Sequence, residues 1–185
     1  MKKMALVLGG GDAGVHVAMQ LADRGHLVTL VPFSPSATAA AAFQELRHPN
    51  IHTFAQAELI SLRGGVGNFT AHIGPATPVR PIVQIRAGAI ILTTESEQAA
   101  ALPRIAALLG IALNDYGSVA TNQFCPVLTS REGIFVVDGG KRPANPADYL
   151  AMADKAATMA ACVLEASEGE APPPAAMSGI REISL

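Results

Sequence analysis

Residues 6–14, LVLGGGDAG, restrict this chain more than any other stretch. A short apolar run enters the turn Gly9-x-Gly11-x-x-Gly14, and an amphipathic pattern over 15–24 follows without a gap. Each glycine has a physical task in a strand–turn–helix that holds a dinucleotide. The first permits the tight exit from the strand, and the second lets backbone approach a pyrophosphate. The third lets the helix lie close to the strand. Phosphates would rest on the unsatisfied N–H groups of the helix start, where the macrodipole is positive. A second apolar run, 27–31, supplies the returning strand of a βαβ unit. The competing reading is a strand-to-helix turn whose glycines serve packing alone.

A chain of 185 residues suits one domain with a real core. Half its residues are hydrophobic, yet it has no Trp and two Tyr, so that core must be aliphatic and alanine-rich. A net charge of −2 leaves no basic footprint for nucleic acid. No apolar run reaches membrane-spanning length, and the opening Met-Lys-Lys leads into a strand-sized segment rather than a signal peptide. A cytoplasmic protein is expected. The two cysteines, Cys125 and Cys162, stand far apart without the CxxC-like groupings that zinc and iron–sulfur sites need.

The order of elements predicts an α/β fold. After the βαβ unit, the turn 32–35 leads to an alanine-rich helix over 37–46, ended by His48-Pro49-Asn50. Residues 51–54 read as a short parallel strand. Two antiparallel strands follow, 58–62 and 69–73, joined by the glycine-rich connector 64–68. A run over 82–86 completes a three-stranded β-meander, and 88–92 is a separate buried parallel strand. A helix is expected over 96–109, capped by Ser96 and stopped by Gly110. Residues 133–137 form another buried strand. Asn145-Pro146 then starts a helix to about 165. The whole is a Rossmann-like FAD/NAD(P)-binding domain over 1–166: a parallel sheet with helices on both faces and the meander inserted. A Pro-containing tail occupies 167–185.

Other side chains read blandly. His16 is a partly exposed helical residue, and His26, His48, His52 and His72 are scattered over the surface without metal spacing. Asp12 sits in the first turn of its helix, where a negative charge complements the dipole. Cys125 reads as a buried structural cysteine rather than a redox thiol, and Cys162 as packing. Arg131-Glu132 reads as a surface pair in a turn. No Ser-His-Asp arrangement appears.

Longer motifs carry a resemblance. The stretch His48-Pro49-Asn50-Ile51-His52-Thr53, then Val66-Gly67-Asn68-Phe69-Thr70, resembles the A subunit of heterodisulfide reductases. It is also similar to the related A subunit of the quinone-interacting oxidoreductase of sulfur metabolism. Thr129-Ser130-Arg131-Glu132-Gly133-Ile134-Phe135-Val136 resembles the same family, and Pro143 and Ala151 fall on matching positions. The resemblance covers most of 4–165 in abbreviated form, without the family's iron–sulfur motifs.

That resemblance implies FAD, no iron–sulfur cluster, and cofactor contacts at Gly9, Gly11, Asp12, Ala13, Gly14, Ser34, Thr94, Asp138 and Gly139. It also exposes departures. Where the family has a ribose-binding Glu, this chain has Pro32, which offers no acceptor; Ser34 is the nearest hydroxyl. The family's Ala-Thr-Gly appears as Thr93-Thr94-Glu95, and its Gly-Asp as Asp138-Gly139, which turns the carboxylate to the other face of an extended chain. Two readings stay open: an FAD-binding electron-transfer subunit of a redox complex, and a cofactor-free docking subunit that keeps the flavoprotein fold. NAD(P) is a weaker third. Partners are expected to be other subunits of a redox complex or further copies of the chain, with neither nucleic acid nor membrane span.

Overall fold

The computed structural model describes residues 4–32, 43, 46–75, 82–94, 100–138 and 146–166. Strands β1 (Met4–Leu8), β2 (Leu27–Val31) and β3 (Ile51–Thr53) pair in parallel, with β1 central. The other edge of β1 pairs in parallel with β6 (Val83–Thr94), and β7 (Ile134–Asp138) runs parallel to the second half of β6. The antiparallel hairpin of β4 (Glu58–Gly65) and β5 (Asn68–Gly74) joins the first half of β6. One seven-stranded sheet results, mostly parallel, as the α/β reading predicted.

Helices α1 (Asp12–Asp23) and α3 (Pro146–Ala166) cover one face, and α2 (Leu102–Leu109) covers the other. The first face is alanine-rich: Ala5, Ala89 and Val7 meet Ala13, Ala18, Ala153, Ala156, Ala157 and Ala160. Small side chains let α1 and α3 lie close to the sheet and to each other. The second face is filled by larger groups, among them Phe69, Leu92, Ile105 and Leu109. Burying one such side chain contributes about 1.5–3 kcal/mol.

Two sequence expectations change here. The runs 82–86 and 88–92 are not separate strands but one strand of 12 residues. Opposite β1 the register skips Gly88: Met4 pairs with Ala87 and Ala5 with Ala89. This bulge resets the two-residue alternation, so Ile85, Ala87, Ile90 and Leu92 all enter the same core. A glycine that looked like a chain break is a phase correction. The second change concerns α2. It starts at Leu102 rather than 96, with Pro103 in its first turn. Proline lacks an N–H and would clash with the carbonyl four residues back, so it belongs at a helix start. Gly110 ends the helix in the left-handed region, φ 66°, as its position predicted.

Several expectations lie outside the described residues. They are most of the helix at 37–46, the caps Ser96 and Asn145, and the tail 167–185. Phe43 alone within that first helix is described, helical and buried.

Candidate functional site

The carboxyl ends of β1, β2, β6 and β7 converge on the start of α1. In open α/β sheets a ligand crevice forms at such an end, where strand order reverses on either side of a central strand. Here that strand is β1, flanked by β2 and β6.

Geometry gives each glycine of the turn a reason. Gly9 leaves β1 with φ 139°, and its amide donates to the Val31 carbonyl at 2.8 Å, tying the turn to the end of β2. A Cβ there would collide with Thr93 Oγ1 and crowd the Thr93 carbonyl oxygen at 2.6 Å. Gly14, inside the first turn of α1, would place a Cβ 2.8 Å from the Gly9 carbonyl oxygen. The third glycine thus allows the helix to seat against the strand exit. Gly11 is the N-cap, in an extended conformation, and no side chain caps the helix. The first-turn amides of Asp12, Ala13 and Gly14 lack intrahelical acceptors by the geometry of any α-helix. Asp12 is exposed, whereas Ala13 is fully buried, so Ala13 offers the crevice its backbone alone.

On the β6–β7 side, Thr94 Oγ1 donates to Asp138 Oδ1 at 2.6 Å, and the Tyr149 hydroxyl donates to the Thr94 carbonyl oxygen at 3.0 Å. Thr93 Oγ1 reaches back to the Leu8 carbonyl oxygen at 3.4 Å. Two of the residues expected from the sequence, Thr94 and Asp138, are therefore joined directly. Tyr149 was missed; nothing local marks a tyrosine in the first turn of a helix as the partner of a carbonyl 55 residues earlier. Ser34, Glu95 and Gly139 lie outside the described residues.

The residues fit a dinucleotide at one end. The glycine turn supplies uncapped amides and a close helix approach, which suit a diphosphate. Pro32, buried at the end of β2, brings no acceptor for a ribose. An open cleft lies at the opposite end of the sheet, lined by Met4, Leu27, Thr29, His52, Phe54 and Ile85. It is remote from the glycine turn and contains none of the residues expected at the cofactor.

Three bland readings need correction. His26 is not a surface residue: it is 8% exposed, with Nε2 buried, lacking a hydrogen bond, and 3.9 Å from Glu165 Oε1. It fills the space between the end of α1 and the end of α3. Cys162 is exposed rather than packed, because the buried stripe of α3 runs through Ala153, Ala156, Ala157, Ala160, Ala161 and Leu164. Arg131 is not half of a surface ion pair; it bonds to two backbone carbonyls. Cys125 is half-buried, its Sγ 3.7 Å from Met159 Sδ. His16 is a partly exposed helical residue as expected, with Nε2 2.7 Å from Asp154 Oδ1 on α3.

Among the described residues, no three His, Cys, Asp or Glu side chains gather as a metal site, and no helix is long and apolar enough to cross a membrane.

No family model matches the chain. Over 89 residues it is 35% identical to the iron-sulfur protein A 2 of the CoB–CoM heterodisulfide reductase of Methanopyrus kandleri. Over 91 residues it is 32% identical to the corresponding A protein of Methanocaldococcus jannaschii. The chain resembles the A subunit of heterodisulfide reductases. The two matches take in 37% and 38% of this chain and 14% of each relative, so the likeness concerns a small part of those longer proteins. Among solved structures, a ferredoxin-flavin thioredoxin reductase from Clostridium acetobutylicum superposes with a TM-score of 0.61 at 11% identity. That superposition covers 92% of this chain and all (100%) of the other. At that identity the likeness establishes the fold: the Rossmann-like α/β architecture of flavin-dependent oxidoreductases.

Proposed function

We propose that this chain is a small FAD-binding electron-transfer subunit of a heterodisulfide-reductase-like redox complex. One observation carries the reading. The start of α1 has no side-chain cap, and Gly14 brings that end against the exit of β1, at the crevice where a dinucleotide's phosphates would lie. The amides of Gly11, Asp12, Ala13 and Gly14 bind the diphosphate, and Gly9 keeps the turn tight enough to present them. The Thr94–Asp138 pair, steadied by Tyr149, holds the opposite wall of the crevice in place. Bound flavin supplies one- and two-electron transfer; the chain positions it and links it to partner subunits. The resemblance to the heterodisulfide reductase A subunit supports the redox role.

The test is the absorbance of native protein before and after denaturation, followed by titration of the colourless form with FAD. A yellow protein that releases FAD, or saturable uptake of added FAD, supports the reading. A colourless protein that takes up none overturns it.

A second reading has its own observations. Pro32 removes the ribose acceptor, and the Asp138 carboxylate is already bonded to Thr94. Both favour a docking subunit that keeps the scaffold without the cofactor, and the titration separates the two.

A further inference from the structure

The solvent-side face of the hairpin and the first half of β6 carries an uncompensated row of positive charge. Along β5, Thr70 and His72 alternate with the buried Phe69, Ala71 and Ile73, so they lie on the other side of the sheet. Arg63 of β4 pairs with Thr70, and Thr70 pairs with Arg86 of β6. The next row is Ser61, His72 and Gln84, in which Ser61 Oγ lies 3.0 Å from His72 Nδ1. Arg63, Gln84 and Arg86 are exposed. Helices α1 and α3, on the same side of the sheet, pack on β1, β2, β6 and β7 and not on the hairpin.

Neither arginine has a hydrogen bond or an ion pair among the described residues, unlike Arg24, Arg104 and Arg131. The sequence explains why. Between Glu58 and Glu95 there is not one Asp or Glu, whereas Arg63, Arg80 and Arg86 fall in that interval. Glu58 itself is bonded to Arg104. The acidic residues of the described helices, Asp12, Asp23, Asp148, Asp154 and Glu165, all belong to α1 and α3. A chain of net charge −2 has thus separated its charges, leaving one flat strip of sheet purely cationic.

We infer that this strip, centred on Arg63, Thr70 and Arg86, is a docking surface for a carboxylate-rich segment of a partner protein. Two strand spacings of about 4.8 Å put the arginines roughly 10 Å apart, within a Debye length at ordinary salt. Their mutual repulsion is relieved when carboxylates lie between and beside them. The hydroxyls of Ser61 and Thr70 and the Gln84 amide offer further donors to the same oxygens. Guanidinium groups suit carboxylates through paired N–H donors, and such surfaces set association rate and specificity. The strip has no exposed aromatic ring for bases to stack on and only two full charges, which argues against a nucleic acid partner. A colourless chain would show the same surface, so flavin binding is not required.

The test uses the whole chain and a fluorescent decaglutamate peptide, read by anisotropy at low salt. Saturable binding is expected, weakened at least tenfold in Arg63→Gln/Arg86→Gln and within twofold of the unaltered protein in Lys155→Ala, which removes a charge from α3. The Arg63→Lys/Arg86→Lys variant should retain most of the binding, since it keeps both charges. Thermal melts of all variants should coincide, because both arginines are exposed. No binding, or equal loss in the Gln pair and in Lys155→Ala, overturns the inference. So does tighter binding of a ten-residue oligothymidylate through the same arginines. Self-association in sedimentation that the Gln pair abolishes also overturns it, by making a second copy the occupant.

Discussion

The Arg131 guanidinium carbon stands 5.4 Å from the centroid of the Phe69 ring, at the seam between the hairpin and β7. From there Nη1 donates to the Leu109 carbonyl oxygen at 2.5 Å and Nη2 to the Gly64 carbonyl oxygen at 2.6 Å. One side chain therefore ties together the end of α2, the tip of β4 and an aromatic ring of the core. Its charge also complements the negative end of the α2 dipole. Phe69 and Val66 in turn press against Gly133, where a Cβ would come within 2.9 Å of both.

Arg131→Ala should lower stability by about 2–3 kcal/mol, since it strips two carbonyls of a charged donor. Arg131→Lys should recover only part of this, because an ammonium cannot span both carbonyls with a planar fork. Urea unfolding of the two variants checks the order. An Arg131→Ala/Phe69→Leu cycle should give a coupling of about 0.5–1 kcal/mol from the cation over the ring.

Gly14→Ala should cost about 1–3 kcal/mol, because the new methyl must push α1 away from the Gly9 carbonyl. Gly9→Ala should cost more, combining that crowding with a backbone conformation that suits glycine alone. If the turn binds FAD, Gly14→Ala also weakens uptake at least tenfold while far-UV circular dichroism stays native. Uptake unchanged in a folded Gly14→Ala protein would count against the turn as the phosphate site.

Thr94→Val leaves the Asp138 carboxylate without its hydroxyl donor and should cost about 1.5–3 kcal/mol, the range for a bond to a charged group. Tyr149→Phe removes a neutral bond and should cost about 0.5–1.5 kcal/mol. Reversal of that order in denaturant melts would show that Asp138 draws its support from elsewhere.

The Arg104–Glu58 pair is bidentate, at 2.8 and 3.2 Å, but Arg104 is half exposed. The hydrogen bond to Glu58, and then its charge, raise the Arg104 pKa above its ordinary value. A raised cation contributes stability that is complete below its unfolded pKa and fades only as pH climbs through the folded one. From the arginine side, then, the pair's contribution should stay flat across neutral and mildly alkaline pH. A double-mutant cycle should give about 0.2–1 kcal/mol, falling as salt is raised, in keeping with solvent screening of an exposed pair.

Several elements were legible residue by residue because their causes are local. The turn at Gly9 to Gly14, the stop at Gly110 and the helix opened by Pro146 each follow from backbone freedom, a missing N–H or an unpaired amide within a few positions. The apolar runs of β1, β2 and β7 announced a sheet buried on both faces, and the glycine-rich connector announced a hairpin. What stayed hidden depends on distant partners. The bulge at Gly88 exists because β6 must serve an antiparallel neighbour along one half and parallel neighbours along the other. His26 is buried and Cys162 exposed because α1 and α3 meet along one stripe only, an angle that no single helix records. Arg131 found carbonyls 22 and 67 residues away, and Thr94 found Asp138 at a separation of 44. The sequence determined where the chain turns, stops and alternates, since those choices are made by neighbours along it. The tertiary structure decided which side chains face one another, since packing distances across a sheet have no counterpart in spacing along a chain.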